Sequence, residues 1–553
     1  VAGRRYENTD ELSVPSSVGL IAFEFHGISF KTRSNAMIYR YRLKGHQDNW
    51  EVTHNRRVEF QDLPTGDYIF EVQAIDRDLV YSKQTDTATL KVYYQPMSSS
   101  VQIAHLNIQD VFPSYYKTYS EFSIGTIEVS NDDPNPIEAK VSFFIPDFMN
   151  RPTEQTVTLS PQSKQTIPLR AIFNPDILNL KDNVSVQAEV ALSCEVSSHT
   201  IAVKKLLNTN IYGRGTLMWD DLGRAAAFVT PEDPDVTRFA RGLYDTYRRQ
   251  IKTSASDGNI PTAMLIFEAL NAHGIKYAQD SSTPYSQVRA NHSVLDNIQY
   301  PSELLQSKLG DCDDCTVLYC SLLENLNIST AFIDYPEHIL MMFDSGVTAR
   351  HAFGFRMQEN RYILRNGRFW IPIEVTKLGE GSFMDAWDLG LKICERLQPQ
   401  GALKITDVRR AWGKYPYALP EITGEWEHPD PEALERFFQT DINAFQKLRN
   451  EYVQREYILP LIQNPKDHIR RIELVQTKIE AEDFNDAIIT AVPLLETEYR
   501  AHAYFLMGCA YAAQKDIRSA VTYFEKALEN DPENPDYANS LSILKKILAQ
   551  ETQ

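Results

Sequence analysis

Gly310-Asp311-Cys312-Asp313-Asp314-Cys315 runs directly into Thr316-Val317-Leu318-Tyr319-Cys320-Ser321-Leu322-Leu323-Glu324-Asn325. A turn, three acids and a thiol therefore open a strongly helical segment. The start of a helix carries about half a positive charge and several unpaired N–H groups. A cysteine held there can be kept as a reactive thiolate. Asp311 stands at the N-cap position, and Asp313 and Asp314 fall in the first turn, where carboxylates are favourable, but the three acids work against a thiolate. Downstream, Glu337-His338-Ile339-Leu340-Met341-Met342-Phe343-Asp344 and Trp370-Ile371-Pro372-Ile373-Glu374-Val375-Thr376 read as strands bearing an imidazole and a carboxylate. Thiol, imidazole and carboxylate in that order point to a cysteine nucleophile with a base and an orienting acid.

Around this stretch the periodicity is mixed. Asp235–Asp245 and Pro261–Asn271 repeat their apolar residues at helical spacing, and strands occupy about 330 to 376. Helices followed by an antiparallel sheet predict an α+β domain over 216–400. Toward the N-terminus the pattern alternates with period two, as in Tyr39-Arg40-Tyr41-Arg42-Leu43 and Tyr68-Ile69-Phe70-Glu71-Val72-Gln73-Ala74. The turn Leu63-Pro64-Thr65-Gly66-Asp67 separates them. Two all-β, immunoglobulin-like sandwiches are expected, over 1–98 and 99–215. Beyond 380 the pattern turns mostly helical, with a linker over 401–465 and paired helices over 466–553. The expected fold class is thus multidomain: two β-sandwiches, an α+β domain and a C-terminal α-helical repeat region.

The bulk numbers bound the function. A chain of 553 residues is too long for one core. Its net charge of -18 argues against a nucleic-acid partner, which needs a basic face, and against docking on anionic lipid. No run approaches the roughly 18 apolar residues of a membrane span. Six cysteines, at 194, 312, 315, 320, 394 and 509, do not make a disulfide framework. The chain opens at Val1 without a methionine or an apolar leader, and reads as a fragment or a processed product.

Three stretches resemble known families. Tyr39, Tyr41, Leu43, Gly45, Trp50, Leu63, Pro64, Gly66, Tyr68, Phe70, Val72 and Ala74 resemble the triple-tyrosine-motif domain. That domain usually follows β-propeller sensor regions in bacterial extracytoplasmic proteins, which implies a periplasmic or cell-surface location. Tyr504, Met507, Gly508, Tyr511, Ala520, Phe524, Ala527 and Pro532 fall at the offsets of a tetratricopeptide repeat, with a weaker copy over 468–500. Roughly 220 to 395 resembles the bacterial transglutaminase-like superfamily, a papain-like cysteine hydrolase group. Gln299–Gln306 leading into Gly310–Asp314, then Tyr335-Pro336-Glu337-His338, then Trp370–Thr376 carry that likeness.

The resemblance implies Cys312 as nucleophile, His338 as base and acid, and Glu374 as orienting carboxylate, with neither cofactor nor metal. Glu374 stands where this superfamily often has Asp. Its chemistry would be acyl transfer from an amide: proteolysis, amide hydrolysis, deamidation or transamidation. The substrate would be a protein or peptide, murein peptide included, and the repeats could recruit protein partners. His351, in Arg350-His351-Ala352-Phe353-Gly354-Phe355, competes for the role of base. His338 is preferred because Thr330–Asp334 and His338–Phe343 make a compact hairpin. Gln299 or Gln306 could assist an oxyanion. Cys312-Asp313-Asp314-Cys315 also admits a redox or zinc reading, and the acids a metal. Cys315 and Cys320 read as buried apolar groups. A catalytically silent scaffold, using the sandwiches and repeats, is the alternative function.

Overall fold

The computed structural model describes residues 6, 12–16, 18–32, 37–93, 101–196, 199–251, 257–279, 295–335, 338–400, 403–422 and 424–551. Two compact units emerge, Val1–Arg214 and Gly215–Gln553.

The first unit is all-β. Strands β1 (Leu12–Pro15), β2 (Leu20–Glu24), β3 (Ile38–Lys44), β4 (Gln47–Thr53), β5 (Arg57–Gln61), β6 (Gly66–Ile75) and β7 (Asp86–Tyr93) form its first sandwich. One sheet has the order β1-β7-β6-β3-β4 and the other pairs β2 with β5. Tyr39, Leu43, Tyr68, Phe70 and Val72 face the core between them, because alternate residues of a strand share a face. The phenol of Tyr68 donates to the Pro64 carbonyl at 2.6 Å, which satisfies the one polar atom of a buried ring. The aromatic ladder is therefore core packing.

Strands β8 (Val101–Ile108), β9 (Gly125–Asn131), β10 (Ile137–Phe144), β11 (Thr153–Leu159), β12 (Ser163–Leu169), β13 (Val184–Val196) and β14 (His199–Ile211) build the second sandwich. Its sheets run β11-β10-β13-β14 and β12-β9-β8.

The second unit begins with short strand β15 (Thr216–Met218), then helices α1 (Pro234–Tyr247) and α2 (Ile260–His273). Next come β16 (Lys276–Tyr277), β17 (Leu295–Asn297), α3 (Pro301–Ser307), β18 (Leu309–Gly310) and α4 (Cys312–Asn325). The main sheet follows: β19 (Thr330–Tyr335), β20 (His338–Thr348), β21 (Ile363–Arg365), β22 (Arg368–Ile373) and, after α5 (Phe383–Leu397), β23 (Lys404–Asp407). Their order is β21-β22-β20-β19-β23, antiparallel throughout. β20 is buried on both faces, packed by α4, and reads as an unbroken apolar run for that reason.

Further helices of the described residues include α6 (Pro431–Val453), α7 (His468–Glu480), α8 (Phe484–Ala491), α9 (Arg500–Ala513), α10 (Ile517–Asn530) and α11 (Pro535–Glu551). Helices α9 and α10 form the repeat hairpin. A Cβ at Gly508 would overlap the Phe524 ring, so glycine is what lets the two helices close. α7 is tied to the α+β domain, because Glu480 accepts the Gly354 N–H at 2.5 Å. Among the described residues no helix is long and apolar enough to cross a membrane.

Candidate active site

Local rules place the thiol. β16 and β18 pair in parallel, Tyr277 opposite Gly310, and the chain turns into α4 one residue later. A Cβ at Gly310 would lie 2.7 Å from Leu304 Cδ1 and 2.8 Å from Asp314 Cβ, so only glycine fits this approach. Asp311 caps the helix by accepting the Asp314 N–H at 3.3 Å, while the Asp314 carboxylate accepts the Asp311 N–H at 3.3 Å. This reciprocal arrangement satisfies two donors that a helix start leaves unpaired. Gln299 reinforces it, donating its backbone and side-chain N–H groups to Asp314, both at 2.7 Å. The Gln299 amide also donates to the Leu309 carbonyl at 3.0 Å. Its donors are thus spent on the turn. The other candidate glutamine, Gln306, packs against Gly424. Neither side chain's described contacts include the sulfur.

The sheet assembles the other two groups. β19 and β20 form the expected hairpin, with Tyr335 opposite His338. β20 and β22 pair with Met341 opposite Ile373, so Glu374 emerges near the His338 end of β20. His338 Nε2 lies 2.7 Å from Glu374 Oε1. The same oxygen accepts the Thr376 hydroxyl at 2.8 Å and the Thr376 N–H at 3.1 Å. Glu374 is 2% exposed, and its own N–H is held by the Ala386 carbonyl of α5 at 3.0 Å. The longer acid reaches the imidazole. Glu374 thereby fixes the orientation of the imidazole from its Nε2 side.

Cys312 meets this pair through the backbone: the Ile339 N–H, next in chain to His338, donates toward its sulfur. The rival histidine lies elsewhere. His351 ends a short turn, Ala349–His351, beyond the far end of β20. A strand rises about 3.3 Å per residue, so roughly 30 Å of strand separates the two ends. The His351 side chain, with Pro336 and Glu337 of the hairpin turn, lies outside the described residues.

Electrostatics weigh against a thiolate, through burial first and then the flanking acids. Cys312 is 5% exposed, and burial pushes its thiol well above the ordinary range; Asp313 and Asp311 push it further. The helix N-terminus therefore does not hold a thiolate in this conformation. The cause is solvent exclusion, since the whole first turn of α4 is buried. Asp313 Oδ1 stands 4.0 Å from the sulfur, and Oδ2 is buried without a hydrogen-bond partner. Burial, then Asp311, raises the Asp313 carboxyl well above its usual range, and burial raises Asp314 to about 7. Ligand oxygens of Asp311, Asp313 and Asp314 all lie within 4.8 Å of one another, a spacing that a cation could bridge. Cys315 is fully buried against the Gly310 carbonyl, and Cys320 is buried too. The strand that leads into α4 is the two-residue β18, not the long buried strand that a redox Cys-x-x-Cys site of the thioredoxin kind follows.

Sequence reasoning missed Tyr277. Burial, then the neighbouring Cys312, Asp311 and Glu374, push its phenol up to about 12, so it keeps its proton. The one sequence signal was indirect. Gly274, left-handed at φ 90°, ends α2 and starts the short segment that pairs with β18.

Comparisons with known proteins agree with this layout. Residues 31–93 match the Y_Y_Y domain family, 253–352 a transglutaminase-like domain family and 501–534 the tetratricopeptide repeat. A comparison with curated proteins finds no match. Among solved structures, the extracellular domain of a protein described as a one component system of B. thetaiotaomicron is 15% identical, with a TM-score of 0.13. That likeness covers 16% of this chain and 12% of that one. Dimeric latent PorU from Porphyromonas gingivalis is 11% identical over 38% of this chain and 19% of its own, at a TM-score of 0.17. Trypsin-activated alpha-2-macroglobulin from Escherichia coli is 10% identical over 98% of this chain and 37% of its own, at 0.16.

Proposed function

We propose that Cys312, His338 and Glu374 form a cysteine acyl-transfer centre acting on an amide bond of a protein or peptide. The observation that carries the reading is the 2.7 Å contact of His338 with the buried Glu374, next to a strand backbone that touches the Cys312 sulfur. His338 takes the thiol proton as sulfur attacks the amide carbonyl, and Glu374 balances the imidazolium. The developing oxyanion receives the Cys312 N–H at the helix start and the Tyr277 phenol. Collapse breaks the C–N bond, His338 returns its proton to the leaving amine, and a thioester remains on Cys312. Water or a second amine then attacks the thioester, with His338 as base, and frees the thiol. Because the resting thiol is protonated, the proton leaves during attack rather than before it.

We further infer an extracytoplasmic location, from the Y_Y_Y likeness alone, and protein partners for the repeats. A substrate-side test uses a panel of peptides, glutamine donors and murein fragments, read by mass spectrometry of products and of intact enzyme. Thioester mass on the wild type and none on Cys312→Ala supports the centre. Identical behaviour of both proteins across the panel would sink it. A second reading, a silent scaffold, draws on the raised thiol and the repeat helices. It predicts partner capture that survives Cys312→Ala.

A further inference from the structure

Away from the thiol, two carboxylates are buried face to face. Glu268 of α2 is 1% exposed and Asp441 of α6 is 2% exposed. Both accept the same donor, the Phe383 N–H at the start of α5, at 2.7 and 3.0 Å. One N–H cannot separate two anionic oxygens that crowd it, and like charges so placed cannot both ionise. The two side chains stand within hydrogen-bond reach of each other.

We propose that Glu268 and Asp441 share one proton, and that this proton fastens α6 to the connection that carries Glu374. The remaining contacts define the fastening. Asn271, one turn along α2, donates to Glu268 at 3.0 Å and to the Gly381 carbonyl at 3.1 Å, and accepts the Gly379 N–H at 2.8 Å. The loop leaving Glu374 is thereby pinned from α2, and α5 is pinned from α2 and α6 together. Among the described residues, the following groups face the pair. On α2 it is Asn271; on α4, the buried phenol of Tyr319; at the start of α5, Ser382 and Asp385. Lys377 reaches over Gly381 beside Asp385, and Arg449, two turns along α6, is taken by Asp257.

Burial and Asp441 raise Glu268 to about 8. An acid raised in the folded state stabilises fully below its unfolded value, progressively less as pH climbs toward 8, and not above it. The fastening therefore loosens from mildly acid to mildly alkaline pH. It is independent of what Cys312 does.

The test compares wild type with Glu268→Gln, whose amide can donate to Asp441 at any pH. Urea midpoints are measured from pH 5 to 9. The wild-type midpoint should fall toward pH 8, while the variant's midpoint falls less steeply, keeping only the share that the raised Asp313 and Asp314 contribute. Parallel profiles overturn the proposal. Asp441→Asn carries the same expectation should Glu268→Gln not fold. Infrared difference spectra of the wild type between pH 6 and 9 give a direct reading. Loss of a protonated-carboxyl stretch that is missing from the same difference spectrum of Glu268→Gln supports the shared proton, and identical spectra of the two proteins refute it.

Discussion

The protonated resting thiol can be tested before any substrate is known. Iodoacetamide reacts with thiolate, so its rate on Cys312 reports the thiolate fraction. An ordinary thiol has a pKa near 8.5, and a pKa higher by one lowers the neutral-pH rate about tenfold. Burial and two carboxylates both push Cys312 upward. The rate should therefore climb log-linearly through pH 9 without a plateau. At pH 7.5 it should lie at least about tenfold below that of a free cysteine peptide. Asp313 supplies the scale. With 4.0 Å between its Oδ1 and the sulfur, an effective dielectric of about 20 gives about 4 kcal/mol, or about a thousandfold in rate. That is an upper bound, because the Asp313 carboxyl is itself raised and carries a proton over part of the range. Asp313→Asn should speed alkylation at fixed alkaline pH by tenfold or more. The assay is mass-resolved labelling of Cys312, in which the buried Cys315 and Cys320 are scored separately. A plateau below pH 8 in the wild type would refute the reasoning. So would an Asp313→Asn profile within twofold of wild type.

Glu374→Ala strips one buried acceptor from three donors and should cost about 3–5 kcal/mol by urea unfolding. Glu374→Gln keeps the shape and should cost only about 1–2 kcal/mol; equal costs would remove the charge from the argument. Arg449 is fully buried, ion-paired with Asp257, and donates to the Gly354 carbonyl at 2.7 Å. Arg449→Met should destabilise by about 3–5 kcal/mol, and adding Asp257→Asn should recover part of that. A double variant no better than the single would show that the ion pair is not the cause. Gly508→Ala should cost about 1–3 kcal/mol in helical-region stability, because the new methyl overlaps the Phe524 ring. Thermal unfolding unchanged from wild type would contradict that packing.

Capping explains much of what could be read in advance. Gly310, Asp311 and Asp314 interact within one turn, so a local stretch announced both the helix and the thiol at its start. Period-two alternation announced the sandwiches, and the small residues at 508, 520 and 527 announced the repeat hairpin, which matches the family at 501–534. These patterns are short-range, and chemistry within a few residues determines them.

Tertiary structure decided the rest. His338 and Glu374 are 36 positions apart, and the β20–β22 register brings them to 2.7 Å. Tyr277 joins through a two-residue strand pair that no periodicity marks. Glu268 and Asp441 come from helices far apart in sequence, and only their burial around one N–H makes them share a proton. The thiol is the sharpest case. Amino-acid order alone places Cys312 at a positive helix end, which favours thiolate. Packing decides the opposite sign, because burial by segments distant along the chain excludes the water a thiolate needs, and this adds to the push of the adjacent Asp313 and Asp311.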